Sequence, residues 1–262
     1  MTTQTIMLRS LIICLLPLAT AMAQSPVSTR LSSGADIGAG FRPNQISPSL
    51  SYYQLLNITR SRAFSVGWTA TFRTFYADNV DYITAPAYLS HGGKSGLYAL
   101  GTPLVPERLD TLRMASASGT SLNLGIRVQF RIKFLEIGAS ADILGLTLGR
   151  SRVGKYLSSS GYFVAGKTAA GADSTALFRG KNVNQSARPT IANFQLLGDN
   201  AIGTLATEVY ARVMISQRFG IKAGYQWLTT EYTTTTTNIA DGNDRFRGRS
   251  GLTYLAVTIP VF

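Results

Sequence analysis

From Phe64 to Tyr76 every second residue is apolar or bulky with one exception: Phe64, Val66, Trp68, Ala70, Phe72, then Thr74 and Tyr76. The residues between them, Ser65, Gly67, Thr69, Thr71 and Arg73, are small or polar. Alternation with a period of two over this length predicts a β-strand with one apolar and one polar face, longer than the roughly five or six residues usual in soluble sheets. The pattern returns at Leu122, Leu124, Ile126, Val128, Phe130 and Ile132, set against Asn123, Gly125, Arg127, Gln129 and Arg131. It returns again at Leu135, Ile137, Ala139, Ala141 and Ile143 against Glu136, Gly138, Ser140 and Asp142. Eight such strands are expected, near 31–41, 46–58, 64–76, 120–132, 135–143, 205–215, 219–227 and 251–262. A phase slip at Tyr52-Tyr53 predicts a bulge in the second.

The connections sort into two kinds. Tight links are expected at 59–62, 133–134 and 217–218, and long ones at 77–119, 146–202 and 230–250. Short and long loops alternating along a run of antiparallel strands are what a barrel in an outer membrane requires. The first outer link, Arg42 to Gln45, is short and breaks the rule. Phe64, Phe130, Phe134, Phe219 and Phe262 fall at one set of strand ends, and Phe41, Tyr76, Trp227 and Tyr254 at the other, as two interfacial girdles would. The fold class expected is therefore all-β, an antiparallel transmembrane β-barrel of eight strands. Ten strands result if Ser160–Ala165 and Thr175–Lys181 pair as a further membrane-spanning hairpin.

Composition agrees with this architecture and adds an address. The chain is 45% hydrophobic and 15% charged, yet its apolar runs are too broken for a spanning helix, which needs about 20 apolar residues. Arg9, the apolar stretch Leu11–Leu18 and Ala21-Met22-Ala23 form a signal peptide over 1–23, leaving 24–262 as the mature barrel. Cys14, the only cysteine, lies inside that signal, so neither a disulfide nor a thiolate metal site is expected in the mature chain. The net charge of +12 falls to +11 when Arg9 departs. In an exported chain without a nucleic-acid motif, that excess points to anionic lipid or polysaccharide and not to nucleic acid. The outer membrane of a Gram-negative bacterium is the expected location.

The signal, the alternating strands and the closing segment Leu252-Thr-Tyr-Leu-Ala-Val-Thr-Ile-Pro-Val-Phe262 together resemble small bacterial outer-membrane β-barrel proteins. The resemblance implies a partner, the barrel-assembly machinery, that reads a terminal aromatic with apolar residues at alternate positions before it. Here Tyr254 and Phe262 would carry that assembly signal, in phase with Leu252 and Ala256. Pro260 departs from the pattern and fits only where its missing N–H falls at a ladder end or bulge.

Candidate chemistry lies in the lumen and in the loops. Asp36, Arg73, Arg127, Arg131, Glu136, Asp142, Glu208, Arg212 and Lys222 are expected to point inward. They form either a polar plug of ion pairs, which the narrow interior of an eight-stranded barrel favours, or a thin solute path lined by Arg73, Arg127 and Arg131. Arg150, Arg152, Lys155, Lys167, Arg179, Lys181 and Arg188, interleaved with aromatics, form a basic stretch in the third long loop. That stretch suits either contact with lipopolysaccharide or simple solvation beside phosphate-rich lipid. His91, the only histidine, lacks a recognisable catalytic partner, and Asp241-Gly242-Asn243-Asp244 reads as a tight turn more readily than as a calcium loop. No cofactor or metal is expected. The functional expectation is a non-enzymatic barrel displaying basic, aromatic-containing loops. The alternatives are a narrow channel for ions or small solutes and, third, a lipid-modifying enzyme.

Overall fold

The computed structural model describes residues 30–59, 61–157, 161–169, 171–196, 201–216 and 218–261. The signal peptide, Cys14 and Phe262 lie outside the described residues. Eight long strands form the spanning part: β1 Leu31–Arg42, β2 Gln45–Asn57, β3 Phe64–Thr84, β4 Thr111–Ile132, β5 Leu135–Leu148, β11 Leu205–Met214, β12 Gly220–Asn238 and β13 Asn243–Val261. Shorter strands lie between β5 and β11: β6 Arg152–Leu157, β7 Tyr162–Lys167, β8 Asp173–Leu177, β9 Asn184–Pro189 and β10 Ala192–Phe194. Two one-turn helices, α1 Ala87–Ser90 and α2 Leu97–Leu100, sit in the β3–β4 connection.

The eight long strands pair antiparallel around a closed ring, β1-β2-β3-β4-β5-β11-β12-β13 and back to β1. Closure follows from alternation. Each strand turns Leu124, Ile126, Phe72, Ile221, Leu255 and their like to the outside and its charged residues to the inside. Only a closed sheet leaves no unpaired edge in hydrocarbon. Phe64, Phe130, Phe134 and Phe219 are exposed at the inner ends, and Phe41, Tyr76 and Trp227 at the outer ends. Asn44 and Lys133 adopt φ of 61° and 55°, closing two-residue hairpins at the β1–β2 and β4–β5 links.

Several expectations need correction. β2 runs in unbroken register from Gln45 to Asn57, with no slip at Tyr52-Tyr53. Tyr53 is an inward residue in phase with Ser49 and Leu55, while Gln54 faces out and accepts a bond from Trp68 Nε1 at 3.2 Å. The bulge lies instead in β5, where Leu124 pairs with Leu144 but Gly125 pairs with Asp142, leaving Ile143 extra. Tyr254 is not a girdle residue. It points into the lumen, 1% exposed, because the lipid-facing phase of β13 is carried by Leu255, Val257 and Ile259. Of the two stretches expected to pair, Ser160 lies outside the described residues, and the hairpin that forms is β7–β8 (Tyr162–Lys167 with Asp173–Leu177), a separate two-stranded sheet, so the barrel has eight strands.

Much of what was expected as outer loop is strand. β3 and β4 remain paired up to Ile83 and Thr111, and β12 and β13 up to Asn238 and Asn243. Above the short β1–β2 turn, β13 pairs directly with β3 through Phe246–Thr84 and Arg247–Ile83. On the other side β4 pairs with β6, β6 with β9, and β9 with β12. The upper parts of β3, β4, β12 and β13 thus join β6 and β9 in a second closed ring of six strands, a collar standing on the barrel. The exceptionally short first outer link makes this possible, since it lets β3 and β13 meet above it.

Candidate functional site: the lumen and the collar

The barrel and the collar have opposite interiors. In β4 the inward residues at membrane level are Arg127, Gln129 and Asn123, whereas in the collar they are Leu112 and Met114, with Arg113 turned out. β3 changes phase at the same level, from buried Arg73, Phe75 and Ala77 to buried Tyr82 and Thr84. Asn79, at φ 51°, occupies the switch. The reversal follows from the surroundings. A strand passing through lipid must put its apolar side chains outside, and the same strand in water must put them inside.

All nine expected lumen residues project inward, seven of them linked by ion pairs through Asp36 and Glu136 and the other two, Arg73 and Asp142, paired with each other. Asp36 is fully buried and accepts from Arg127 Nη1 at 2.8 Å, Lys222 Nζ at 2.9 Å and Thr258 Oγ1 at 2.6 Å. Lys222 also meets Glu208 at 2.5 Å. Glu136 bridges Arg212 and Arg131, the latter half-exposed at the inner mouth. Arg73 donates to Asp142 at 2.6 Å, and Asp142 also accepts from Asn123 Nδ2 at 3.0 Å and the Ala206 amide at 2.9 Å. Pairing of this kind is what buried charge requires.

Three lumenal tyrosines bind the charges together, and the sequence reading turns two of them, Tyr53 and Tyr254, away from the lumen. The Arg127 guanidinium lies 4.0 Å from the Tyr53 ring centre and 4.5 Å from that of Tyr210, and its Nε donates to the Tyr210 hydroxyl at 2.6 Å. Arg212 donates to the Tyr53 hydroxyl at 2.6 Å, and Lys222 stands 4.3 Å and 5.1 Å from the Tyr210 and Tyr254 rings. Cation–π contact holds a charge where solvent is scarce. Glycines make room for the rings: a Cβ on Gly34 would lie 2.3 Å from the Tyr53 hydroxyl, and one on Gly138 2.4 Å from that of Tyr210. The available signal was phase, because Tyr53 and Tyr210 occupy inward positions of their strands.

Above the lumen the collar is filled with apolar and aromatic side chains: Leu112, Met114, Tyr82, Tyr156, Tyr232 and Phe246 among them. Tyr156 stacks on Phe178 at 4.0 Å, Phe246 meets Tyr156 edge-on at 5.2 Å, and Tyr82 meets Tyr232 edge-on at 5.1 Å. Their hydroxyls are satisfied. Tyr156 donates to Asp110 at 2.6 Å and Tyr232 to the Ser118 carbonyl at 2.9 Å. Burial pushes the Tyr232 phenol up to about 12 and those of Tyr82 and Tyr156 upward as well, so all three stay protonated.

The collar's outside is charged. Arg150, Arg152, Lys155, Lys167, Arg179, Lys181 and Arg188 are all exposed, Lys155 in β6 and Arg188 in β9 being on the outer face of the ring. A second basic row went unnoticed in the sequence: Arg245, Arg247 and Arg249 alternate with Phe246 and Gly248 along β13. The spacing Arg-Phe-Arg-Gly-Arg was its signal. Glu231 faces this row and accepts from Arg245 at 2.8 Å and Arg247 at 3.3 Å. Arg247 is itself buried and also donates to the Ala201 carbonyl. His91 follows α1, with Nδ1 2.7 Å from the Thr102 carbonyl, and stabilises the β3–β4 loop. Gly242, at φ 70°, sits in the turn joining β12 to β13. Among the described residues no cluster of three or more His, Cys, Asp or Glu side chains is placed to hold a metal.

A closed eight-stranded ring with a lipid-facing apolar belt, aromatic girdles and a charged interior defines an outer-membrane β-barrel protein of a Gram-negative bacterium. No family model matches the chain, and no curated protein is similar to it. Solved structures with some likeness include the Yersinia pestis outer membrane protein Ail, at 10% identity over 87% of this chain and 98% of that one, TM-score 0.32. Neisserial surface protein A gives 11% identity over 91% and 100%, TM-score 0.35. A major outer membrane protein from Thermus thermophilus gives 10% over 88% and 98%, TM-score 0.36. Overlap this low carries no argument about role, and the class rests on the ring and belt themselves.

Proposed function

We propose that this is a closed, non-enzymatic barrel whose collar presents a basic surface to lipopolysaccharide or another anionic saccharide outside the cell. The observation that carries the reading is the double closure. An ion-pair and tyrosine network fills the lumen, and an aromatic core fills the collar above it. With both levels occupied by side chains, the exposed outer surface is the part left to act. Its basic residues, from Arg150 to Arg188, supply long-range attraction for an anionic partner.

The test is binding of purified lipopolysaccharide to the refolded protein across a salt series. Excising the segment is unsuitable, because β6 and β9 are collar staves. Replacing Arg150, Arg152, Lys155 and Arg188 by Gln leaves the ring intact. Tenfold weaker binding and a flatter salt dependence are expected, and unchanged binding refutes the role of this surface.

A narrow channel is the second reading, favoured by one observation. Ser47 Oγ and both amide atoms of Gln226 are buried without a protein partner, which suits internal water near the top of the lumen. Internal water satisfies these groups without a continuous path, since the collar core lies above them.

A further inference from the structure

The geometry points to a lipid-headgroup site on the side of the molecule, where the barrel rim meets the collar at the β3–β13 seam. Its ligand is the phosphate of an outer-leaflet lipid.

The short β1–β2 turn leaves a lateral recess beneath the point where β13 and β3 come together. The recess has about 190 Å³ and is lined by Arg42, Gln45, Asn79, Asp81, Arg249 and Ser250 among others. A second hollow of about 260 Å³ shares Asp81, Gly248 and Arg249 with it and continues upward to Arg247, Ser90 and Leu104. The two hollows meet at Asp81, Gly248 and Arg249 as one cleft, and the lower one reaches inward to Ala77, Tyr82 and Thr230.

Three observations select a lipid phosphate. The first is height. Arg42 directly follows the lipid-facing Phe41, which is 43% exposed. Arg249 is two residues above Gly251, the partner of the girdle residue Trp227. At a rise of about 3.4 Å per residue along a tilted strand, both guanidinium groups begin within roughly 7 Å of the aromatic girdle, the level of lipid headgroups.

The second is charge. Arg42, Arg247 and Arg249 line the cleft with Asp81, and Arg113, Arg245 and Glu231 stand behind them as ion-pair partners. Asp81 is held by two bonds from Arg113 at 2.8 Å, and Glu231 is taken up by Arg245 and Arg247. Arg42 has no side-chain partner among the described residues. A planar guanidinium donates two parallel bonds to a phosphate, which makes arginine the apt residue for such a site.

The third is the neighbouring loop. The loop carrying α1 and α2 borders the upper hollow through Ser90 and Leu104, and elsewhere it exposes Tyr88, Leu97 and Tyr98. An apolar and tyrosine-bearing patch beside a basic cleft suits contact with lipid.

The site is separate from the Arg150–Arg188 surface, so the two readings fail separately. The experiment titrates short-chain phosphatidic acid into the full-length refolded protein in maltoside micelles, with phosphatidylcholine and inorganic phosphate as parallel probes. Arg42→Gln/Arg249→Gln is expected to weaken phosphatidic acid binding at least tenfold, while the four-Gln variant of the Arg150–Arg188 surface changes it less than twofold. Equal binding by the unaltered protein and the Arg42/Arg249 variant overturns the site. So does binding of inorganic phosphate as tight as that of the lipid, which would mean a free-phosphate pocket. A measurement on the unaltered protein stands independently of variant folding: a lipid spin-labelled at its headgroup should broaden the amide signals of Asn79 and Gly248. Sharp signals there overturn the proposal.

Discussion

Asp36→Asn probes the lumen most directly, because the carboxylate of Asp36 neutralises two cations at once. It is fully buried, and it holds Arg127 at 2.8 Å and Lys222 at 2.9 Å. The amide has the same shape but no charge. Removing one partner of a buried pair costs about 3–5 kcal/mol, since the other charge is left uncompensated. Here the lower end applies: Lys222 retains Glu208 at 2.5 Å, and Arg127 retains the Tyr210 hydroxyl and two aromatic faces. With ~3 kcal/mol lost and a urea dependence of about 2 kcal/mol per molar, the unfolding midpoint should fall by ~1.5 M. Unfolding from lipid vesicles can be followed by tryptophan fluorescence, because Trp68 and Trp227 both face lipid and leave it on unfolding. Adding Arg127→Met to Asp36→Asn removes the guanidinium left without a carboxylate and should recover part of the loss, with a coupling of ~1–3 kcal/mol. A fall below ~0.3 M, with strictly additive effects in the double variant, refutes the reasoning. The two charges would then be separately hydrated, and the lumen would be wet.

Leu124→Arg or Ile126→Arg puts a cation on the middle of the lipid face and should cost ~2–4 kcal/mol, seen as lost folding yield by the heat-dependent shift of the folded band in electrophoresis; normal yield contradicts the assigned orientation. Phe246→Ala empties the centre of the collar core, where it meets Tyr156, and should cost ~3–5 kcal/mol locally. The collar should then become sensitive to limited proteolysis while the barrel keeps its heat-dependent band shift, and equal protease resistance contradicts an independent collar core. Asp81 is held below the ordinary carboxylate range chiefly by its hydrogen bonds from Arg113. The tie is therefore present above the unfolded pKa and lost as pH falls through the lowered folded value. Arg113→Gln should move the Asp81 midpoint up toward 3.8 in a carbon-detected NMR titration, and an unmoved midpoint assigns the shift to another cause.

The spanning strands were legible because lipid enforces a strict two-faced pattern, and Phe64–Phe72 and Leu122–Ile132 show it without interruption. Above the membrane that constraint lifts. The inward phase of β3 and β4 changes near Asn79, and the collar depends on β6, β9 and β12 meeting across large sequence separations, which local spacing does not encode. The charged lumen residues could be read from phase alone. Their aromatic partners could not be assigned by a rule that sends bulky residues outward, since such a rule turns Tyr53 into a bulge and Tyr254 into a girdle residue. The arginines of β13 and Arg42 gain meaning only when the short β1–β2 turn brings the two strand edges together.

Closure of the barrel is the central claim. Its most direct test is single-channel recording from the purified, refolded protein in a planar bilayer, with insertion established beforehand by β-sheet circular dichroism and the heat-dependent band shift. A lumen filled by ion pairs and tyrosines should leave the bilayer silent at moderate voltage. Steady openings of reproducible conductance, altered by neutralising Arg73 or Arg127, would contradict closure and make solute passage the working function.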